Sequence, residues 1–86
     1  MISLEDMIAI SQLDEMEIDA LAEHEHIPES AAAALGAYLL HTEHGEAQIS
    51  EMIFEDIEAA RGRGDIHHAA QLKLVLRHFV EKHGGS

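Results

Sequence analysis

The chain of 86 residues has no cysteine, no tryptophan, one proline and three aromatic side chains, and no Lys or Arg before position 61. Each absence removes a class of function. Without cysteine there are no disulfides, no thiolate metal centres and no thiol catalysis. Three aromatics (Tyr38, Phe54 and Phe79) are too few for base stacking or an aromatic cofactor box. A duplex-binding protein needs cations to displace counterions from phosphate, so direct nucleic-acid binding is not expected. The longest apolar run, Ala31 to Leu40, falls well short of the roughly 20 residues that cross a bilayer. Met1 is followed by Glu5 and Asp6 rather than by a basic leader and an apolar stretch, so no secretory signal is expected. These absences together predict a soluble, cytoplasmic protein with no membrane partner.

What is present is acid, in an uneven layout. Residues 1–60 hold 15 of the 17 acidic side chains, and residues 61–86 hold all five Lys and Arg against two acids. The formal net charge is −12. The polarity predicts that the C-terminal helix packs on acidic neighbours, in its own chain or in a partner's. A chain this short buries only about 60–65% of its unfolded surface, so one small core is all it can build.

Capping signals and periodicity predict an all-α fold, a compact bundle of about five helices ending in an antiparallel hairpin. Residues 1–83 form a single domain, and 84–86 form a flexible tail. The first segment opens at Ser3, with Asp6 three residues on and Ile2 and Met7 placed as a hydrophobic staple, and closes near Ile10 or Ser11. The second has Asp14 as N-cap, Glu17 at N3, Leu13 and Ile18 as the staple, and an apolar stripe of Ile18, Leu21 and Ala22. Pro28 sets the next boundary, because the residue before a proline resists the helical region.

The third segment, Pro28 to His41, is apolar nearly all round, which predicts a central position. Its main face is read as Ala31, Ala32, Leu35, Tyr38 and Leu39, and Ala32 and Gly36 allow a close backbone approach. Thr42 is the expected cap of the fourth segment, whose stripe is Ile49, Met52, Ile53, Ile57 and Ala60. Gly62 and Gly64 mark a turn and Asp65 caps the last helix, which carries Ala69, Leu72, Val75, Leu76, Phe79 and Val80.

The stretch Ala22-Glu23-His24-Glu25-His26-Ile27-Pro28-Glu29, with Tyr38-Leu39-Leu40-His41-Thr42 and Leu74-Val75-Leu76-Arg77-His78-Phe79, resembles a small helical family of proteobacterial hypothetical proteins. The resemblance implies a bacterial, cytosolic, all-α protein. It brings no activity and no functional residues with it.

Eight histidines are the main chemical resource. Glu23 and His26 have the Glu-x-x-His spacing of helical di-metal proteins, which need two such motifs and two further carboxylates. Only one is present, so one chain is not expected to build that centre. A mononuclear divalent metal site from Glu23, His24, His26, His41 and His44 requires the two helix junctions to converge. The competing explanation is that imidazoles near helix C-termini simply satisfy exposed carbonyls. Helical geometry also aims Asp56 and Glu25 into apolar stripes, and His68 lies on the arc with Leu72, Val75 and Phe79. Glu25, Asp56 and His68 or Arg77 therefore make an acid–base cluster, or Asp56 makes an ordinary ion pair with Arg77 or a lysine of the last helix.

Phe54 projects away from its helix's stripe. With the wide arc containing Leu72, Leu76 and Phe79 it suggests apolar surface beyond one core, and hence an interface. The function expected from sequence is a non-enzymatic interaction module, homodimeric, facing a basic protein partner with its acidic helices. The alternative is a metal- or cofactor-binding protein, and a small acid–base enzyme comes third.

Overall fold

The computed structural model describes residues 13–83, and the predicted first helix and the tail lie outside them. The described residues form four helices: α1 Glu15–Glu25, α2 Glu29–Leu40, α3 Gly45–Gly62 and α4 Ile66–Lys82. No helix among them is long and apolar enough to cross a membrane. The Cα radius of gyration is 12.5 Å, close to the roughly 12 Å of a compact chain of this length.

α1 starts where its capping box dictates. Glu17 N–H donates to Asp14 Oδ1 at 3.0 Å, and Asp14 N–H donates back to Glu17 Oε1 at 3.1 Å. Leu13 and Ile18, the predicted staple, are both buried. The helix ends on His26 in the left-handed region (φ 58°, ψ 46°), whose N–H reaches Ala22 O. A non-glycine residue there costs on the order of 1–2 kcal/mol. Pro28 then holds extended backbone and α2 begins after it.

The face of α2 is rotated from the one expected. Its buried residues are Ala32, Ala33, Gly36 and Leu39, whereas Tyr38 and Ala31 are exposed. Because alanine surrounds the helix, its exposed positions cost little, and the smallest residues, not the largest, select the contact. A Cβ on Gly36 would overlap Leu13 Cδ1 and approach Leu21 Cδ1 to 3.2 Å, so the space at Gly36 admits leucine side chains rather than the neighbouring backbone expected there. The centre of the bundle is shared by α1 and α3, each of which packs on all three other helices; α2 packs chiefly on those two.

Thr42 does not cap α3. Its hydroxyl turns back to Leu39 O at 2.8 Å, satisfying a carbonyl at the end of α2. α3 starts at Gly45, with His44 at the N-cap position and no side-chain cap bond. Ile49, Ile53, Ile57 and Ala60 are buried as the stripe predicts. Gly64 (φ 79°) makes the turn into α4, and Asp65 Oδ1 accepts the His68 N–H at 3.2 Å. α3 and α4 share the largest contact in the fold. Ala69, Leu72, Val75 and Phe79 fill the core from α4.

Candidate functional site

The position of α1 against both α3 and α4 decides where polar chemistry collects. Near its C-terminal end, Glu23 reaches α4 and His24 reaches α3. Both Glu23 carboxylate oxygens lie 2.8 Å from His68 Nε2, and His68 Nδ1 is 3.4 Å from Gln71 Oε1. His24 Nδ1 meets Glu25 Oε2 at 2.8 Å, and its Nε2 meets Glu55 Oε1 at 3.0 Å. Each imidazole has oxygen acceptors on both nitrogens, and only the protonated ring has two N–H donors to satisfy them.

Asp56 lies within the field of both rings. Its Oδ2 is buried and has no hydrogen-bond partner among the described residues. Burial pushes its carboxyl above the ordinary range, with the charge of Glu23 adding to the effect and the His24 and His68 charges opposing it. Burial disfavours the charged form of His24, but the hydrogen bonds to Glu55 and Glu25 outweigh it and hold the ring above its ordinary value. For His68 the hydrogen bond to Glu23 dominates and raises it against partial burial.

A pH dependence follows with a definite sign. The folded state holds protons on His24 and His68 more tightly than the unfolded chain, so their stabilisation is full below 6.5, the ordinary histidine value. It is lost as pH rises through the raised folded values. The raised Asp56 acts in the same direction at lower pH. Urea unfolding across a pH series is expected to show stability falling as pH rises above the ordinary histidine value of 6.5. The His24→Asn/His68→Asn double variant should lose most of that slope, and an unchanged slope would remove the cluster as its cause.

A groove runs between α1 and α4. Near the Glu23–His68 pair is a hollow of about 460 Å³ whose walls include Met16, Ala20, Leu72, Leu74 and Val75. Met16, Leu74 and Val75 also wall a second hollow of about 360 Å³, closed by Asp14, Glu17 and His78. Met16 and Leu74 are 55% and 63% exposed, large apolar side chains held open to solvent. At the far end, His78 Nε2 lies 2.8 Å from Asp14 Oδ2, and Lys82 Nζ donates to the wholly buried Glu17 Oε1 at 2.7 Å.

The five residues expected to bind metal are dispersed. Glu23 and His24 join the cluster around Asp56 on different partners, and His26 is an exposed left-handed cap. His41 donates from Nδ1 to Ala37 O at 2.7 Å, the carbonyl contact expected at a helix C-terminus, and His44 is exposed. Among the described residues, the group of three that brings ligand atoms within 4.8 Å of one another is Asp14, Glu17 and His78 instead.

Asp56 and His68 do share one neighbourhood, as helical geometry suggested. Glu25 pairs with His24, and Arg77 lies 3.6 Å from Glu81 rather than on Asp56. Of the four expected interface residues, Phe54 is exposed and Leu76 half-buried, while Leu72 and Phe79 are in the chain's own core. The pair of buried Glu17 with Lys82 is not evident in the sequence, where Glu17 reads as a capping residue. Its one signal in the sequence is that Glu17 precedes Leu21 by four residues, on the buried face.

No family model, no curated protein and no solved structure matches the chain. A functional reading therefore rests on the side chains themselves.

Proposed function

We propose that the protein is a non-enzymatic interaction module that works as a two-fold homodimer in the cytoplasm, joined through the groove between α1 and α4. The observation that carries this is the pair of exposed apolar side chains, Met16 and Leu74, over the groove floor. The flanking charges support it. α1 carries Glu15, Glu17, Asp19, Glu23 and Glu25 with no Lys or Arg, while α4 carries Lys73, Arg77 and Lys82 against Glu81. A two-fold axis through the groove sets the acidic helix of one copy on the basic helix of the other, so the surface complements itself. The acidic outer faces of α1 and α3 remain for a basic protein partner, and five helices closing in an antiparallel hairpin complete the architecture in this reading.

Equilibrium sedimentation tests it. The wild type is expected at twice the 9.5 kDa chain mass. Leu74→Glu places a charge in the covered groove and is expected to weaken association at least about 30-fold, equivalent to roughly 2 kcal/mol. Because Leu74 is exposed in one chain, the variant should keep its helical circular dichroism. A monomeric wild type, or a dimer indifferent to Leu74→Glu, ends the proposal.

A further inference from the structure

The end of the groove farthest from Glu23 holds an arrangement that packing alone does not explain. Asp14 is the N-cap of α1 and Glu17 its third residue, so the capping box itself sets two carboxylates side by side. α4 brings His78 against them, and one atom from each of the three lies within 4.8 Å of the others. Glu17 is 0% exposed. Its Oε1 is occupied by the Asp14 N–H and by Lys82, but its Oε2 is shielded and has no hydrogen-bond partner among the described residues. A carboxylate oxygen without a donor in a buried site is costly. All three residues also wall the 360 Å³ hollow.

We propose that Asp14, Glu17 and His78 bind a divalent transition-metal ion of the zinc class, with an open coordination position facing that hollow. The donor set is two carboxylates and one imidazole, hard oxygens and a borderline nitrogen that suit zinc, cobalt or manganese. The ion enters between His78 Nε2 and Asp14 Oδ2, which lie 2.8 Å apart, and binds the neutral imidazole, any proton on Nε2 leaving to solvent. Glu17 supplies the vacant lone pairs of Oε2. Ligand atoms around one ion lie closer together than 4.8 Å, so the side chains must draw in by about an ångström. His78, with its side chain 58% exposed on the outer face of α4, has the freedom to do so. Lys82 neutralises the other Glu17 oxygen, and its side chain is 32% exposed, so its ammonium can turn towards water as the ion arrives. Three protein ligands leave the fourth tetrahedral position for water or for a small donor ligand in the hollow. The site is formed within one chain and does not depend on the dimer.

Eight histidines make unspecific metal uptake a real competitor, so the test must locate the ion. Cobalt(II) alone is titrated into protein prepared without metal-affinity chromatography, and backbone amide spectra are recorded for the wild type, His78→Ala and His44→Ala. One equivalent is expected to bind, with the paramagnetic effects centred on the amides around Asp14–Ile18 and Arg77–Lys82. His78→Ala, a change at an exposed position, is expected to lower affinity by at least the roughly 10- to 100-fold that loss of a supporting ligand contact costs in known centres. His44→Ala should leave affinity unchanged. Affinity should also weaken in acid, because the imidazole must give up its proton to bind. Paramagnetic effects centred on His24, His41 or His44, uptake of less than one equivalent, or full affinity in His78→Ala would each overturn the proposal. Repeating the wild-type titration at a protein concentration low enough for the chain to sediment as a monomer separates this site from the dimer, since a monomer that still binds one ion leaves the metal proposal standing.

Discussion

Gly45→Ala is expected to destabilise the protein by about 3 kcal/mol or more, although alanine is the better helix former by about 1 kcal/mol. A Cβ at position 45 would fall inside the carbonyl group of Leu39, and it would also approach Thr42 Oγ1 to 2.7 Å. A crowded side chain can rotate away, but a backbone carbonyl at the end of α2 cannot move without shifting the helix. Gly45 is buried because the α2–α3 junction folds back on itself. Overpacking of a core by one methyl group costs roughly 1–3 kcal/mol when side chains yield, and here the obstacle is main chain. In a domain of this size that lowers the melting temperature by on the order of 12–24 °C. Gly62→Ala is the control: nothing lies within 4 Å of its added Cβ, so it should be neutral or stabilising by up to about 1 kcal/mol. Thermal melts of the two variants should differ in sign or nearly so, and equal melts would show that the junction relaxes.

Phe79→Ala is expected to cost about 3–5 kcal/mol, the usual range for deleting a buried phenyl ring. Phe79 is 1% exposed and its ring centroid lies 4.5 Å from that of His83. Small domains rarely hold more than about 3–5 kcal/mol from one core, so this variant should approach complete unfolding at room temperature. Phe54→Ala, which removes an equal ring from a half-exposed position, should stay within about 0.5 kcal/mol in the separated chain. Urea denaturation at low protein concentration makes the comparison. A Phe79→Ala midpoint close to wild type would place that ring outside the core.

These two phenylalanines show what the sequence could and could not convey. Both lie on amphipathic helices, and periodicity correctly turned Phe54 outward. The wide arc containing Phe79 read as surplus surface, but α4 spends it inside the chain, covering α3 and α1 at once. One helix's periodicity gives the width of an apolar face and not the number of neighbours that share it. The capping box of Asp14 and Glu17, the break at Pro28 and the cap at Asp65 were legible because each depends on residues no more than four apart. α2 was not legible in its facing, since a helix of alanines has no direction for periodicity to find. Thr42 had two acceptable uses within three residues, and the unsatisfied carbonyl of α2 took it.

The candidate site was legible only in fragments. Asp56 and His68 followed from helical angles, and the His41 contact from the helix dipole. The pairs that assemble the groove, Glu23 with His68 and Glu17 with Lys82, lie 45 and 65 residues apart. Nothing local encodes such partners, because they depend on how α1 and α4 cross.

Those pairs have one more consequence, for how α4 is held lengthwise. At the start of α1, Asp14 and Glu17 meet His78 and Lys82 near the end of α4, and near the end of α1 Glu23 meets His68 at the start of α4, so the two helices run in opposite directions with three polar pegs between them. An apolar seam of Leu72, Val75 and Phe79 tolerates sliding by a helical turn, since one aliphatic side chain replaces another. The pegs do not tolerate it. A slip of one turn, about 5.4 Å, would pull Lys82 from Glu17 and leave a carboxylate charged in the dry interior. Among the described residues, the least exposed acid thus fixes the register of the helix that is richest in basic residues.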